Sequence, residues 1–234
     1  MSAEQTLENP ARLSAELAGL LPAGVIAAEL IGPAPRSVLT AAELQFIAHC
    51  APKRIQDFAG GRACAHRALD ELGLPGVSVL AGPRREPVWP AGIIGSITHT
   101  QGYAAAAVAR QGELRSVGID CEVMDSVDED LWTRICTPAE VHRLAQLPQA
   151  ERGRQAALIF AAKEAFYKCQ FPLTREWVGF EDVAIEPLQW PAPAGRLQIV
   201  PCKPLPLDAA VVAGLVSRFM FRPPWVMAAV AAPF

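Results

Sequence analysis

The sequence predicts an α+β (α/β) fold in which long helices pack on small, mostly antiparallel sheets. Two long helical segments support this prediction, one over residues 52–72 and one over residues 151–169. Each is followed by short strands rich in valine, isoleucine and alanine, which glycine and proline turns separate. The chain therefore passes twice through a helix followed by a set of strands.

The two halves of the chain repeat this order and end on similar strands. Residues 103–108 and residues 225–230 both begin with an aromatic residue and end in Ala-Ala-Val. Recurrence of this kind indicates an internal duplication. We predict two similar half-domains with pseudo-twofold symmetry, residues 1–112 and residues 113–234, each with a long helix on its own sheet.

The first half-domain carries clear helix-start signals. Thr40 and Glu43 have the spacing of a capping box, so a short helix is expected to begin there. Pro52 suits the first turn of the long helix, and Gly73 is expected to end it near Leu72. The following strands are predicted at residues 77–80, 93–98 and 103–110.

The second half-domain shows the same signals. A strand over residues 116–122 leads to a second capping box, formed by Thr137 and Glu140. The long helix over residues 151–169 follows, and Pro172 is expected to end it. Further strands are predicted at residues 182–185, 197–200 and 225–231.

Composition limits the class of protein. Hydrophobic residues make up 51% of the 234 residues and charged residues 19%, which indicates a well-packed globular protein and not a disordered one. Neither a secretory leader nor an apolar run of about 20 residues is visible, so we expect no membrane partner. The six cysteines form no C-x-x-C pair, and we interpret them as reduced thiols of a cytoplasmic protein.

The net charge of −3 argues against nucleic acid as a partner, but the charges are unevenly placed. Four basic residues and one acid lie between Lys53 and Arg67, whereas eight acids and two arginines lie between Glu113 and Glu140. This division would suit a polyphosphate ligand held by arginines at one end and by a metal ion at the other. Two ordinary solvated faces would give the same pattern.

Two short segments, one in a predicted strand and one in the second long helix, give the strongest chemical signal. In the strand, alternation turns Asp120 and Glu122 to the same face. In the helix, Glu164 and Lys168 stand one turn apart on the same side. Carboxylate oxygens suit Mg²⁺, so metal-assisted attack on a phosphate is predicted. Taken alone, a solvated turn and a surface ion pair would explain the same residues.

Five blocks of sequence, in a fixed order, make this prediction more specific. They lie at residues 53–65 (Lys-Arg, then Gly-Arg-Ala-Cys-Ala), 84–90 (Arg-Arg-Glu-Pro-Val-Trp-Pro), 95–100 (Gly-Ser-Ile-Thr-His-Thr), 117–122 (Val-Gly-Ile-Asp-Cys-Glu) and 160–168 (Phe-Ala-Ala-Lys-Glu-Ala-Phe-Tyr-Lys). With them the chain resembles the 4′-phosphopantetheinyl transferases of the larger monomeric, Sfp-type class, which includes enterobactin-type and actinobacterial enzymes. Phe160 and Cys121 depart from the usual family residues, in packing and not in chemistry.

The resemblance implies the 4′-phosphopantetheinyl transferase fold and a defined reaction. Such enzymes move the 4′-phosphopantetheine arm of coenzyme A (CoA) to a serine of an acyl or peptidyl carrier protein and release adenosine 3′,5′-bisphosphate. By the family pattern Asp120, Glu122 and Glu164 bind Mg²⁺, for which Mn²⁺ could substitute. Asp120, Glu164 and Lys168 are the implied catalytic residues. Glu164 or a water on the metal would accept the serine proton.

The same resemblance assigns a second set of residues to CoA. They are Arg54, Arg62, Arg84, Thr98, His99, Lys163 and Lys168. The arginines match positions that hold the 3′-phosphate end, where a guanidinium can bind bidentately. His99 and Lys168 would contact the phosphate chain. Lys163 could equally be a plain surface charge.

Two other functions stay open on sequence alone. Another Mg²⁺-dependent phosphotransferase would share the carboxylates, although no G-x-x-x-x-G-K-[ST] loop is present. A catalytically inactive module that binds CoA or a carrier protein would share the fold. The pathway served (fatty acid, polyketide, nonribosomal peptide or siderophore synthesis) and the roles of residues 1–40 and 187–234 are left open. Because both half-domains lie in one chain, we expect a monomer.

Overall fold

The computed structural model describes residues 9–112 and 114–234, so residues 1–8 and Glu113, which begin the two predicted half-domains, lie outside the described residues. The helices are α1 (Ala15–Ala18), α2 (Ala41–Phe46), α3 (Pro52–Glu71), α4 (Glu129–Ile135), α5 (Pro138–Gln146), α6 (Gln149–Thr174) and α7 (Ala209–Ala213). The strands are β1 (Arg12–Leu13), β2 (Ile26–Ile31), β3 (Leu80–Ala81), β4 (Pro87–Val88), β5 (Ile93–Thr100), β6 (Tyr103–Arg110), β7 (Leu114–Val123), β8 (Val183–Pro187), β9 (Ala194–Pro201), β10 (Val216–Arg222) and β11 (Trp225–Pro233).

Within the described residues the strands form two larger sheets and a two-stranded ribbon. The first sheet has the order β1-β2-β6-β5 and the second the order β7-β11-β10-β9-β8, while β3 pairs with β4. All of these strand pairings are antiparallel. Helix α3 packs on the first sheet and α6 on the second. The predicted α+β class, with mostly antiparallel sheets, is confirmed.

Three apolar clusters fill the described part of the molecule. The first lies between α3 and the first sheet, around Leu69 and Val108. The second lies between α6 and the second sheet, around Phe166. The third joins the opposite faces of the two sheets, where small residues such as Ala107 meet Ile119. Apolar burial in these clusters supplies the main stabilisation of the fold, and the alanines allow the sheets to approach closely.

The helix starts agree with the sequence signals. The hydroxyls of Thr40 and Thr137 accept hydrogen bonds from the backbone N–H groups of Glu43 and Glu140 at 3.4 and 3.3 Å. Both acids bond back to the threonine N–H groups, so both capping boxes are confirmed. Helix α3 begins at Pro52, as predicted. None of the described helices is both long enough and apolar enough to cross a membrane.

The prediction that Pro172 ends the second long helix is wrong. Helix α6 continues through Pro172 to Thr174. Arg175 then ends the helix: its N–H donates to the Phe171 carbonyl at 2.8 Å, and its left-handed backbone (φ 59°) turns the following chain away from the helix axis. Pro172 itself has no N–H to donate, but amides after it, such as that of Arg175, still find carbonyl acceptors in the last turn.

Strand β2 is a central element that the sequence did not predict. Its residues, Ile-Ala-Ala-Glu-Leu-Ile, include strong helix formers, so local propensity does not favour a strand. In the structure β2 pairs with β6 along its whole length and with β1 on its other side. This pairing and the burial of its side chains override the local preference.

Gly118 brings β7 into direct contact with α6. A Cβ atom at this position would overlap the Ala165 carbonyl oxygen and lie 2.6 Å from the Cys169 nitrogen. Glycine therefore lets the strand lie directly against the helix backbone. Asp120 and Glu122 follow on the same face of β7, so the close contact carries both carboxyl groups to α6.

Candidate active site

The junction of β7 and α6 brings the predicted acids and one lysine together. Asp120 is buried on β7, and its Oδ1 lies 2.6 Å from Lys168 Nζ on α6. Glu122 follows on the same face of β7, and Glu164 lies one turn before Lys168 on α6. The charges of Asp120, Glu164 and Lys168 all act on Glu122, so these four groups lie near one another.

The electrostatics of this region show an excess of negative charge. Burial, and then the charges of Asp120 and Glu164, raise the pKa of Glu122 to about 7, although Lys168 opposes the shift. Burial and Asp120 also raise the pKa of Glu164. One ammonium is too little positive charge for three partly desolvated carboxyl groups, and a bound cation would lower both pKa values.

Asp120 offers a free oxygen for such a cation. Its Oδ2 is buried and has no hydrogen-bond partner among the described residues, which costs free energy unless another group binds there. Carboxylate oxygens are the hard ligands that Mg²⁺ prefers, so the residue types fit this ion. Nevertheless, across residues 9–112 and 114–234 no three His, Cys, Asp or Glu side chains are gathered closely enough to hold a metal as they stand.

The prediction that Lys163 binds CoA is wrong. Its side chain is 1% exposed, and its ammonium donates to Glu140 Oε2 at 2.6 Å. It also donates to the carbonyl oxygens of Ile135 and Phe180 at 2.9 and 2.7 Å. These contacts use all three N–H groups of the ammonium. Lys163 is therefore neither a phosphate ligand nor a surface charge, and it joins α6 to the elements around it.

The hydroxyl of Thr98 is not a CoA contact either. Thr98 is buried on β5, and its Oγ1 accepts the backbone N–H of Cys121 at 3.2 Å. The same hydroxyl donates to Asp120 Oδ1 at 2.8 Å. Because the only proton of this hydroxyl goes to Asp120, the predicted role in CoA binding is corrected to a contact inside the protein.

His99 is exposed on β5 and lines a cavity of about 780 Å³ together with Lys53 and Asp57. Partial removal of the ring from water lowers the pKa of His99, and the positive charges of Lys168 and Arg54 act in the same direction. Asp57 opposes them. His99 thus lies within the field of basic groups from both long helices, and its predicted phosphate contact stays a prediction.

The guanidinium of Arg62 makes its contacts within the first half of the chain. Its guanidinium donates to the carbonyl oxygens of Val79 and Leu80 and lies 4.0 Å from the centre of the Phe58 ring. Burial lowers the pKa of Arg62 to about 10. These contacts hold the segment that enters β3, so Arg62 has a structural task whether or not it also meets phosphate.

The two other predicted arginines are more accessible. Arg54 is half-buried at the start of α3. Arg84 is exposed, and its guanidinium carbon lies 5.9 Å from the centre of the Phe171 ring on α6. Arg84 borders a cleft of about 480 Å³ that Glu164 also lines. Phosphate binding by Arg54 and Arg84 stays a prediction.

The 480 Å³ cleft lies between the two halves of the chain. Strand β5 and the segment around Trp89 line it from the first half, and α6 and Ser116 of β7 line it from the second. Lys168 and Glu164 face this cleft together. A substrate that enters this cleft therefore meets aromatic surface, basic side chains and the carboxyl group of Glu164.

Two residues of this region were not predicted from the sequence. Glu140 holds the ammonium of Lys163, and Ser96 accepts the backbone N–H of Ile119 on β7 at 3.1 Å. The signal for Glu140 was its place in a capping box, although that motif does not indicate burial. Ser96 could have been found from its spacing of two residues from Thr98, which places both hydroxyls on one face of β5.

The fold and the site together define a class of protein. A cleft that presents carboxylates, a lysine and arginines is suited to an enzyme that transfers a phosphate-bearing group with the help of a cation. Residues 42–109 match the family described as "4′-phosphopantetheinyl transferase N-terminal domain". Residues 116–210 match the "4′-phosphopantetheinyl transferase superfamily". The chain belongs to the 4′-phosphopantetheinyl transferase family.

Individual relatives agree with this assignment. The 4′-phosphopantetheinyl transferase Npt of Nocardia iowensis is 43% identical over 166 residues, which cover 71% of this chain and 74% of that protein. The 4′-phosphopantetheinyl transferase PptT of Mycobacterium tuberculosis is 42% identical over 178 residues, covering 72% and 76%. Enterobactin synthase component D of Escherichia coli is 40% identical over 122 residues, covering 51% and 56%. The chain is therefore an enzyme that transfers the phosphopantetheine arm of CoA to carrier proteins.

Proposed function

We propose that this transfer depends on Mg²⁺ and that Asp120, Glu122 and Glu164 bind the ion. The unpartnered, buried Oδ2 of Asp120 supports this proposal most directly. The raised pKa of Glu122 supports it as well, since a cation beside these acids would favour their ionised forms. When bound, Mg²⁺ neutralises the diphosphate of CoA and polarises its phosphorus–oxygen bonds.

The protein groups around the ion have separate tasks in this proposal. The oxygen of a carrier serine forms a bond to the phosphorus that carries the pantetheine arm. The bond from that phosphorus to the oxygen of the departing adenosine 3′,5′-bisphosphate breaks. Glu164 receives the serine proton, directly or through a water molecule. Lys168, held beside Asp120 at the cleft, offers its charge to the departing phosphate.

The phosphates of CoA are assigned to the basic residues that remain accessible. Arg54 and His99 bind phosphate at one end of the ligand, and Arg84 binds phosphate in the cleft. Lys168 lies between the cleft and the carboxylates of β7. Arginine suits this task because its planar guanidinium binds phosphate oxygens in pairs. Arg62 supports the loop that leads to Arg84, through its bonds to Val79 and Leu80.

The proposal extends to the organisation of the molecule and its surroundings. We treat residues 1–112 and 113–234 as two half-domains, because each described part has its own sheet and long helix. A cleft that both halves complete within one chain suits a monomer. The six cysteines are all free thiols in the described residues, which suits a reducing compartment such as the cytoplasm.

The experiment uses an apo carrier protein, CoA and protein stripped of metal with EDTA. Intact-mass measurement should show the phosphopantetheine mass gain only after Mg²⁺ is added back. Release of adenosine 3′,5′-bisphosphate should rise in equal amount. Undiminished transfer in excess EDTA would overturn the metal proposal, while a mass gain without the bisphosphate would overturn the proposed bond changes.

A further inference from the structure

Strands β5 and β7 belong to different sheets, yet they lie side by side where the two halves of the chain meet. Side-chain hydroxyls make hydrogen bonds across this junction. Ser96 Oγ accepts the N–H of Ile119 at 3.1 Å, and Thr98 Oγ1 accepts the N–H of Cys121 at 3.2 Å. Two successive hydroxyls on one face of β5 therefore satisfy two successive inward amides of β7.

The two hydroxyls differ in one respect. Thr98 Oγ1 also donates to Asp120 Oδ1 at 2.8 Å, and Lys168 Nζ contacts the same oxygen at 2.6 Å. The carboxyl group is thus held at one oxygen by two donors, while Oδ2 remains buried and unpartnered. Ser96 reaches only a backbone amide among the described residues and touches no carboxyl group.

We infer that Thr98 is a positioning residue: its hydroxyl fixes the rotation of the Asp120 carboxyl group so that Oδ2 is presented to a divalent cation. This inference rests on the proposed role of Asp120 as a metal ligand. Hydrogen bonds from neighbouring groups orient metal ligands, and their removal typically lowers metal affinity about 10–100-fold. The hydroxyl also joins the strand that carries His99 to the strand that carries Asp120.

Three variants separate orientation of Asp120 from packing of the junction. Thr98→Val keeps the shape of the side chain and removes the hydroxyl. Ser96→Ala is the matched control, because it also leaves one buried β7 amide without an acceptor but does not touch Asp120. Thr98→Ser restores the hydroxyl. Mn²⁺ affinity is measured by electron paramagnetic resonance of the free ion, with full-length protein saturated with CoA, and melting temperatures are recorded in parallel.

We expect Thr98→Val to weaken Mn²⁺ binding by about 10–100-fold, the range found when a residue that orients a metal ligand is removed. The Mg²⁺ concentration that gives half-maximal transfer should rise in proportion, while the KM for the carrier protein stays unchanged. Ser96→Ala should lower the melting temperature without weakening Mn²⁺ binding. Thr98→Ser should bind Mn²⁺ nearly as well as the unchanged protein.

Wild-type Mn²⁺ affinity in Thr98→Val would overturn the inference, and so would an equal loss in Ser96→Ala, which would assign the effect to the junction alone. If Thr98→Val does not fold, Thr98→Cys keeps a weak donor and should show an intermediate loss. Full Mn²⁺ affinity in that variant also counts against the inference. Failure of the unchanged protein to bind Mn²⁺ with CoA present would instead overturn the proposed metal site, and this result is visible before any variant is made.

Discussion

Lys163 and Glu140 form an ion pair at 2.6 Å in which both side chains are almost completely buried. The first half of the chain contains a side-chain contact at the matching place, since His66 Nε2 lies 2.9 Å from Glu43 Oε1. Lys163 follows Glu140 by 23 residues, and His66 follows Glu43 by the same number. In each half the acid comes from a capping box and its partner from the long helix.

Both acids also reach a backbone amide of a neighbouring segment. Glu43 Oε1 accepts the N–H of Val79 at 2.8 Å, and Glu140 Oε1 accepts the N–H of Ile185 at 2.7 Å. A single buried carboxyl group therefore joins a short helix, a long helix and the segment that follows it. The equal spacing supports the internal duplication predicted from the strand ends.

Replacing Lys163 by Met should leave Glu140 as an unpaired charge in the protein interior. We expect the free energy of unfolding to fall by about 3–5 kcal/mol, as is typical when one partner of a buried ion pair is removed. Urea denaturation followed by circular dichroism measures this loss. The control is Arg67→Met, which breaks a half-exposed ion pair with Glu71 (3.3 Å) and should cost only about 0.3–0.5 kcal/mol. Similar small losses in both variants would contradict a structural role for Lys163.

Replacing Glu164 by Gln keeps the size of the side chain and removes its charge. We expect the single-turnover rate of transfer to fall by about 10²–10⁴-fold, the usual contribution of a proton acceptor. The affinity for CoA, measured by calorimetry, should fall much less. The exposed variant Glu176→Gln should change neither quantity. Equal losses in rate and in CoA affinity would leave Glu164 as a ligand without a role in proton transfer.

Glu29 connects the two halves of the chain, and its ionisation should make the free energy of unfolding depend on pH. Glu29 Oε2 accepts a hydrogen bond from Arg222 of β10 at 2.7 Å. Burial would raise the pKa of Glu29, but hydrogen bonds from Tyr103 and Arg222 outweigh it and lower the pKa below the ordinary 4.5. A lowered pKa in the folded state stabilises the fold above the ordinary value, and this stabilisation is lost as the pH falls through the lowered one.

The variant Glu29→Gln should therefore be less stable than the unchanged protein at neutral pH. The difference in unfolding free energy should shrink as the pH falls below the ordinary pKa of 4.5 and through the lowered pKa of the folded state, which urea titrations at several pH values would measure. Glu16→Gln is the control, because Glu16 is an exposed acid 3.5 Å from the same Arg222 and should show little difference at any pH. A difference for Glu29→Gln that does not change with pH would disprove the linkage.

Gly118→Ala should disturb the site through the backbone. The added methyl group would overlap the Ala165 carbonyl, so β7 and α6 must move apart. We expect a loss of about 1–3 kcal/mol or more in stability, together with weaker transfer activity in the protein that still folds. Gly179→Ala is a matched control, because its nearest neighbour, Asp182 Oδ2, lies 3.4 Å away. Full activity in Gly118→Ala would show that the close contact does not position the carboxyl groups.

Local signals predicted much of the fold because they act within one turn or one strand. The threonine caps, Pro52 and the alternation through Asp120 depend on neighbours a few residues away, and the structure has each of them as predicted. Strand β2 escaped prediction because its partners β1 and β6 decide its conformation. Pro172 misled because the end of α6 depends on the left-handed Arg175 that follows.

The sequence by itself determined which side chains share one face of β7 and which share one face of α6, since side-chain direction follows from backbone periodicity. The sequence also determined the family, because several motifs in a fixed order identify it where a single residue would not. Only the tertiary structure decided which charged groups remain available to a ligand. Lys163 and Glu164 are neighbours in sequence, yet their environments differ. The Lys163 ammonium donates to Glu140 and to two carbonyl oxygens, whereas the Glu164 side chain lines the cleft. Burial and partner geometry make that distinction, because a desolvated charge must be paired by whatever the fold places next to it.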